Sequence, residues 1–227
     1  MKKYLIIVAG GKGTRMGGSL PKQFVTVAGW PLLMHTLQCF HRVLPDVECV
    51  LVLPEDHIVY WADLRGRFKF ELPHTVIEGG NTRFRSVKNG LDAIVGNEGL
   101  VSIHDGVRPF PSAQLINEAY ATAEKTGSAI PVLSPTESIR EVDGNESRIV
   151  DRNRYRMVQT PQTFRLALLK EAYKQPYNEL FTDDASVVEA SGVKVTLIDG
   201  NRENIKITHR SDLLWAEAYL KTCLNRK

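Results

Sequence analysis

The feature that most constrains this chain is a short apolar run that passes directly into a glycine-rich, cationic loop. Residues 4–9 read YLIIVA, residues 10–16 read GGKGTRM, and PKQ follows at residues 21–23. Glycine has no Cβ, so several backbone N–H groups can turn toward one anion at close range. Arg15 and Lys22 add the positive charge that a polyphosphate needs. The segment therefore predicts a buried strand that opens into a nucleoside triphosphate site.

Two better-known phosphate-binding loops do not match this segment. The P-loop needs Ser or Thr directly after its lysine, whereas Gly13 follows Lys12 here. The dinucleotide fingerprint needs a third glycine where Met16 stands, and an acidic residue at the end of the second strand, which runs into Pro54 instead. A glycine-rich turn without any ligand stays open as the alternative at this point.

Length and composition limit the class of protein. The chain has 227 residues, which suits one α/β domain, and no apolar run approaches the roughly 18 residues of a membrane span. Its three cysteines show no Cys-x-x-Cys spacing, which predicts free thiols in a reducing cytoplasm. The net charge of +3 is mild and gives little support for nucleic-acid binding. We therefore expect a cytoplasmic protein without membrane or nucleic-acid partners.

Strand and helix patterns alternate along the chain. Strands are predicted at residues 4–9, 48–53, 75–77, 100–103, 129–132 and 194–198. Helices are predicted at residues 31–43, 56–67, 82–95, 112–126, 164–174, 183–191 and 211–224, with Ser112 as an N-cap. This rhythm predicts an α/β fold of Rossmann-like type, in which helices cover both faces of a mostly parallel sheet.

The alternation breaks between residues 134 and 160. Strand-like stretches at residues 137–142 and 148–150 flank DGN at residues 143–145, which is a good hairpin turn. We predict that residues 134–160 form a β-arm that projects from a single domain covering residues 1–227.

Three arginines alternate directly after the predicted hairpin. If residues 151–157 are extended, the side chains of Arg152, Arg154 and Arg156 share one face. That face would bind a phosphorylated acceptor or would simply be solvated, and the pattern does not choose between the two.

Unusual loops fall at the carboxyl ends of the predicted strands, where open α/β sheets bind their ligands. The third strand ends in GGN at residues 79–81, and the fourth ends in HDGVRP at residues 104–109. Asp105 follows a buried strand at once, and a carboxylate there suits Mg²⁺, with a turn-forming aspartate as the alternative. His104 is predicted to be structural, and Arg108 either binds phosphate or forms a salt bridge.

With these residues assembled, the chain resembles the bacterial 2-C-methyl-D-erythritol 4-phosphate cytidylyltransferases of the non-mevalonate isoprenoid pathway. The resemblance covers nearly the whole length and follows an ordered set of motifs. These are AGGKGTRM at residues 9–16, PKQ at 21–23, GG at 79–80 with Arg83 and SV at 86–87, HD at 104–105 with RP at 108–109, VDRN at 150–153, QTPQ at 159–162, TDDAS at 182–186 and NIKIT at 204–208.

The resemblance implies transfer of CMP from CTP to a sugar-alcohol phosphate, with Mg²⁺ as the cofactor and pyrophosphate as the second product. It implies catalytic roles for Arg15, Lys22 and Lys206. It places CTP against Ala9, Gly10, Gly11, Gly13, Gly80, Ser86 and Asp105, with the metal ion at Asp105. It places the acceptor against Ser138, Arg152 and Thr160. It also implies a homodimer in which the arms of two subunits interlock.

The chain departs from the family pattern at a few positions. Gly10 stands where many relatives have alanine, Ser138 replaces a threonine, and Tyr155-Arg156 replaces a common Leu-Trp pair. A ribitol 5-phosphate cytidylyltransferase, which shares the donor site, is the nearest rival, although VDR at residues 150–152 fits the methylerythritol enzymes better. A non-catalytic nucleotide-binding module or an RNA-binding module is the alternative from a different class.

Overall fold

A computed structural model describes residues 1–11 and 20–224 of the chain. Its strands are β1 (Lys3–Val8), β2 (Thr26–Val27), β3 (Trp30–Pro31), β4 (Glu48–Leu53), β5 (Thr75–Glu78), β6 (Leu100–Asp105), β7 (Ser128–Leu133), β8 (Ile139–Asp143), β9 (Glu146–Val150), β10 (Met157–Val158), β11 (Gln162–Arg165) and β12 (Leu197–Asp199). Its α-helices are α1 (Leu32–Val43), α2 (Glu55–Arg67), α3 (Arg83–Asp92), α4 (Ala113–Thr126), α5 (Leu166–Ala172), α6 (Asp184–Ala190) and α7 (Arg210–Leu224).

One large sheet organises the fold. Its strand order is β10-β7-β11-β6-β1-β4-β5, and β12 also pairs with β7. Strand β1 runs parallel to both β4 and β6, and β4 runs parallel to β5. The carboxyl ends of these four strands therefore lie along the same edge. The predicted α/β class with a mostly parallel sheet is confirmed.

Successive residues of β1 point to opposite faces of the sheet, and each face has its own core. Leu5 and Ile7 pack into a cluster with residues of α1, α2 and α4. Tyr4 and Ile6 pack into a second cluster with residues of α3, α5 and α6. Apolar residues occupy consecutive positions of β1 because both of its faces are covered. Helices on both faces, as predicted, hold the site-bearing edge in place.

One predicted helix begins too early. Residues 164–174 were expected to be helical, but β11 occupies Gln162–Arg165 and α5 covers only Leu166–Ala172. Strand β11 inserts antiparallel between β6 and β7, where Phe164 is completely buried and the hydroxyls of Ser102 and Thr163 are 2.6 Å apart. The gain from filling the gap between two strands outweighs the local helical pattern.

The hairpin forms where the turn predicted it. Strands β8 and β9 pair antiparallel, and Gly144 adopts the positive φ of 57° that the two-residue turn requires. The expectation of an extended segment at residues 151–157 is wrong, because Arg152–Arg154 form a 3₁₀ helix capped by the Asp151 side chain. The three alternating arginines therefore do not share one strand face. The division into a domain and an arm stays a prediction.

A smaller apolar cluster fixes the last helix. Ala216 of α7 packs with Val27 of β2, Val107 and Ile207. The backbone N–H of Ile207 donates to the carbonyl of Val107, which ties the segment before α7 to the loop after β6. Among the residues described, no helix combines the length and the apolar character that a membrane span requires.

Candidate active site

A cavity of about 320 Å³ opens at the carboxyl ends of β1, β4, β5 and β6. The segments that leave these strands supply most of its lining, as expected where parallel strands end at one edge. The lining residues are Val8, Ala9, Gly10, Gly11, Lys22, Gln23, Val52, Leu53, Pro54, Gly79, Gly80, Asn81, Thr82, Arg83, Ser86, Asp105, Val107 and Lys206. Eight of the predicted site residues therefore meet in one place, namely Ala9, Gly10, Gly11, Lys22, Gly80, Ser86, Asp105 and Lys206.

The loop after β5 is held by a serine from the following helix. Ser86 Oγ accepts a hydrogen bond from the Gly80 N–H at 3.1 Å and donates to the Thr82 carbonyl at 2.9 Å. At Gly80 a Cβ would collide with the side chain of Arg85, so only glycine allows this close approach. Ser86 thus sets the shape of the loop that lines the cavity.

The loop after β1 is fixed at its base and exposed at its tip. The Ala9 N–H donates to Val52 at 3.0 Å, and the Ala9 carbonyl accepts from Gln23 Nε2 at 2.8 Å. The N–H groups of Gly10 and Gly11 form no hydrogen bond with any part of the chain that the structure describes. These two exposed N–H groups are therefore available to an anionic ligand.

Asp105 gathers cations at the end of β6. Its Oδ2 lies 3.0 Å from Lys206 Nζ and 3.2 Å from Arg108 Nε, and its Oδ1 lies 4.0 Å from Arg83 Nε. Burial by itself raises the pKa of the Asp105 carboxyl, but Lys206, Arg83 and Arg108 outweigh that effect and hold the pKa well below its usual range. The carboxylate is therefore ionised at neutral pH and keeps three cations close together.

Backbone contacts fix the two cations on Oδ2. Arg108 Nη1 also donates to the Asn204 carbonyl at 2.8 Å, which binds the Arg108 side chain to the segment that carries Lys206. Of the two readings for Arg108, the salt bridge is thus the one observed. Lys206 is partly exposed toward the cavity, so its ammonium can reach a ligand without leaving the carboxylate.

The donor set does not fit a metal ion held by protein alone. Within the described ranges, no group of three or more His, Cys, Asp or Glu side chains could hold an ion. Asp105 is the one carboxylate among the lining residues described, and its oxygens face cations. An ion here would need phosphate oxygens for most of its ligands. The metal role of Asp105 stays a prediction.

A histidine inside the sheet links the end of β6 to the end of the arm. His104 Nδ1 lies 3.0 Å from Thr160 Oγ1, and its Nε2 lies 2.9 Å from the Arg108 carbonyl. A carbonyl only accepts, so Nε2 carries the proton and Nδ1 accepts from the Thr160 hydroxyl. Burial lowers the pKa of His104 to about 4, so the ring is neutral. His104 is structural, as predicted.

Thr160 is buried beside the cavity. Its Oγ1 also accepts from the Asp105 N–H at 3.1 Å, so both hydrogen-bonding functions of the hydroxyl are in use. This contact fixes the backbone that presents the Asp105 carboxylate. Binding of the acceptor by Thr160 stays a prediction.

The other predicted site residues do not line this cavity. Ser138 and Arg152 are exposed on the arm, where Arg152 Nη1 donates to the Thr136 carbonyl and closes the base of the hairpin. Arg15 and Gly13 lie outside the described residues. Lys22 is buried in a 3₁₀ helix, and a Cβ on Gly11 would lie 3.6 Å from its Cε.

Two lining residues escaped the sequence analysis as site residues. Arg83 enters the cavity from the first turn of α3, although it belonged to the family motifs. Gln23 directly follows Lys22, and its hydrogen bond to Ala9 holds the Lys22 segment against the end of β1. The signal for both was their place in the motifs, but neither has a spacing that predicts its contacts.

A glycine loop, exposed backbone N–H groups and clustered cations at the edge of a parallel sheet define an α/β nucleotidyltransferase. Residues 4–222 match the family model described as 2-C-methyl-D-erythritol 4-phosphate cytidylyltransferase, and the chain belongs to that family. The enzyme class predicted from sequence, a cytidylyltransferase, is thereby confirmed.

Individual relatives extend over the full chain. A protein from Phocaeicola vulgatus named 2-C-methyl-D-erythritol 4-phosphate cytidylyltransferase is 51% identical over 220 residues, which cover 97% of this chain and 100% of the relative. The crystal structure of the so-named enzyme from Thermus thermophilus matches with a TM-score of 0.79 and 34% identity over 97% of this chain and 100% of that one. A 4-diphosphocytidyl-2C-methyl-D-erythritol synthase from Anaerococcus prevotii matches with a TM-score of 0.82 and 29% identity over 97% and 96% of the two chains.

The buried His104 predicts a specific pH dependence of stability. Between the pKa of about 6.5 in the unfolded chain and about 4 in the folded one, the unfolded state binds more protons, so the free energy of unfolding falls as pH falls. We expect His104→Gln to remove about 2 kcal/mol of the loss between about pH 7 and pH 5, measured by urea denaturation. The exposed His209→Gln is the control, and an unchanged pH dependence in His104→Gln would contradict the assignment.

Proposed function

We propose that the protein transfers the cytidylyl group of CTP to 2-C-methyl-D-erythritol 4-phosphate and releases pyrophosphate, a step of isoprenoid precursor biosynthesis. The observation that carries this proposal is the single cavity in which Lys22, Asp105 and Lys206 meet the glycine segments. The names of relatives that cover the whole chain support it as well.

The proposed reaction is an in-line displacement at phosphorus. A phosphate oxygen of the acceptor attacks the α-phosphorus of CTP, a new P–O bond forms, and the bond to the bridging oxygen of pyrophosphate breaks. The attacking oxygen is already an anion, so no general base is needed. The protein's task is to bring two anions together and to stabilise the charge on the transferring phosphoryl group.

Cations around the cavity suit this task. Lys206 is held beside Asp105 at 3.0 Å and is exposed on its other side, which places an ammonium where the α-phosphate would arrive. Lys22 lies against Gly11, next to the exposed N–H groups that would take the β- and γ-phosphates. Arg15 remains the third predicted cation.

Backbone groups would distinguish cytosine from uracil. The loop at Gly80, braced by Ser86, offers carbonyl and N–H groups at the side of the cavity opposite the cations. The exocyclic amine of cytosine donates where the corresponding uracil carbonyl accepts, so the wrong base would leave a buried polar group unpaired. This reading also includes the backbone of Ala9 and Gly10.

Mg²⁺ would enter with the triphosphate as part of the substrate. The lining offers one carboxylate, and its two oxygens already face Lys206, Arg108 and Arg83. Phosphate oxygens of CTP would thus provide most of the ligands, and the ion would offset the negative charge of the phosphates when bound.

We also propose a homodimer in which the arm of one subunit completes the acceptor site of the other. Strands β8 and β9 form a two-stranded sheet by themselves, and such hairpins are marginal in water without further packing. Val142 and Ile149 lie on the same face of this hairpin and are 68% and 66% exposed. Ser138 and Arg152 stand on the arm, outside the cavity of their own chain.

A cytoplasmic location accords with the state of the described thiols. Cys39 and Cys49 are free, and burial raises the pKa of the Cys39 thiol to about 11 and that of Cys49 to about 12. Such thiols are typical of proteins in a reducing compartment.

The decisive experiment incubates purified protein with CTP, Mg²⁺ and one acceptor at a time. Mass spectrometry follows the cytidylylated product and a coupled assay follows pyrophosphate. We expect 2-C-methyl-D-erythritol 4-phosphate to be converted in strong preference to ribitol 5-phosphate. Preference for ribitol 5-phosphate would replace the proposed acceptor, and CTP binding without pyrophosphate release would leave a nucleotide-binding module instead of an enzyme.

Lys22→Ala tests the proposed role of the buried lysine. We expect kcat to fall by roughly 10²-fold or more, because a preorganised cation beside the transferring phosphoryl group is lost. Lys22→Arg should retain part of the activity, and the exposed Lys174→Ala, just after α5, is the control. Near-normal turnover of a correctly folded Lys22→Ala protein would reject the assignment.

Val142→Lys tests the arm interface. A buried cation opposes packing of the hairpin against a second subunit, so sedimentation velocity should show a shift from dimer to monomer. The KM for the acceptor should rise more than the KM for CTP, because the arm carries the acceptor residues. Val95→Lys, at a 92% exposed position away from the arm, serves as the matched control. An unchanged dimer in the Val142 variant would contradict the interface.

A further inference from the structure

Arg83 brings a further cation to the cavity, and its setting is unlike that of the other three. It is the first residue of α3, its side chain is 30% exposed, and it lines the cavity. Its Nη2 donates to Asp184 Oδ2 at 2.6 Å, while its Nε lies 4.0 Å from Asp105 Oδ1. The guanidinium therefore stands between a wholly buried carboxylate and the carboxylate of the site.

The buried side of this arrangement is rigid. Asp184 is completely buried in the first turn of α6, and its Oδ1 accepts from Tyr173 Oη at 2.6 Å. Burial raises the pKa of the Tyr173 hydroxyl well above its usual value, so the phenol stays protonated and continues to donate. Each carboxylate oxygen thus has one strong partner, and Arg83 is held in a single orientation.

The cavity side of the guanidinium is not used by the protein. A guanidinium carries five N–H donors in a planar fork. Over the part of the chain that the structure describes, Arg83 forms one side-chain hydrogen bond, through Nη2 to Asp184, and Nη1 forms none. The separation of 4.0 Å between Nε and Asp105 is too long for a hydrogen bond. Two edges of the fork therefore keep unsatisfied donors.

Such a fork is the group that proteins use for bidentate binding of phosphate. An arginine whose only function was to neutralise Asp184 would need neither exposure to the cavity nor proximity to Asp105. The anchoring also lowers the entropic cost of binding, because the side chain is ordered before a ligand arrives.

We propose that Arg83 is a phosphate-binding residue, oriented in advance by Asp184 and Tyr173, whose free edge contacts a phosphoryl group in the cavity. The inference rests on the proposed function for the identity of the substrates. The phosphoryl group belongs to CTP or to the acceptor, and separate titrations with each compound distinguish the two sources.

The test must separate binding from folding, because Arg83→Met alone leaves the Asp184 carboxylate buried without its partner. The informative protein is the double variant Arg83→Met/Asp184→Asn, in which no unpaired charge remains and the amide oxygen still accepts from Tyr173. Thermal unfolding should show a destabilised single variant and a double variant that recovers most of the loss. Arg85→Met is the matched control, at an exposed position of the same helix whose side chain forms no hydrogen bond or ion pair with the described residues.

Calorimetric titration of these proteins with CTP and Mg²⁺, and separately with 2-C-methyl-D-erythritol 4-phosphate, measures Kd without requiring turnover. We expect the double variant to bind one of the two compounds about 10- to 100-fold more weakly, as for the loss of charge-assisted hydrogen bonds, and Arg83→Lys to lie in between. Wild-type affinity of the double variant for both compounds would overturn the proposal. Failure of the wild type to release pyrophosphate would affect the proposed function but not this comparison.

Discussion

Four charged groups meet at the end of β6, and their balance sets the geometry of the site. Lys206, Arg108 and Arg83 would repel one another if Asp105 did not stand among them. The carboxylate is fixed in turn by Thr160, whose hydroxyl accepts from the Asp105 N–H. Replacing Asp105 by a neutral residue would therefore disperse the cations as well as remove one anion. A site that receives polyanions needs this preorganisation, because cations held in place spend no further energy on gathering when the substrate arrives.

The parts of the site that follow from local sequence were predictable. Six consecutive apolar residues followed by glycines indicate a buried strand and an anion loop, and Asp105 directly follows such a strand. Parallel strands then bring their carboxyl ends together whatever the details of packing. This is why the loops at Gly10, Gly80 and Asp105 could be assigned to one edge from the sequence.

Contacts between distant segments were not predictable in this way. Arg83 meets Asp184 across 101 positions of sequence, and no periodicity announces such a pair. Strand β11 was mistaken for the start of a helix because Phe164 fits either pattern and only the gap between β6 and β7 decides. The 3₁₀ helix at Arg152–Arg154 depends on a cap from Asp151, which overrides the alternation of arginines. In each case a tertiary or capping interaction outweighs the local preference.

The hairpin of β8 and β9 hydrogen-bonds within itself and takes no place in the large sheet. Nucleotide recognition belongs to loops anchored in two cores, whereas the exposed arm contributes little to either core. Substitutions on the arm consequently leave the stability of the main body almost untouched. Natural variation can alter the second substrate there while the donor machinery is inherited unchanged, which gives this architecture an evolutionary route to new products from one ancestral nucleotide pocket.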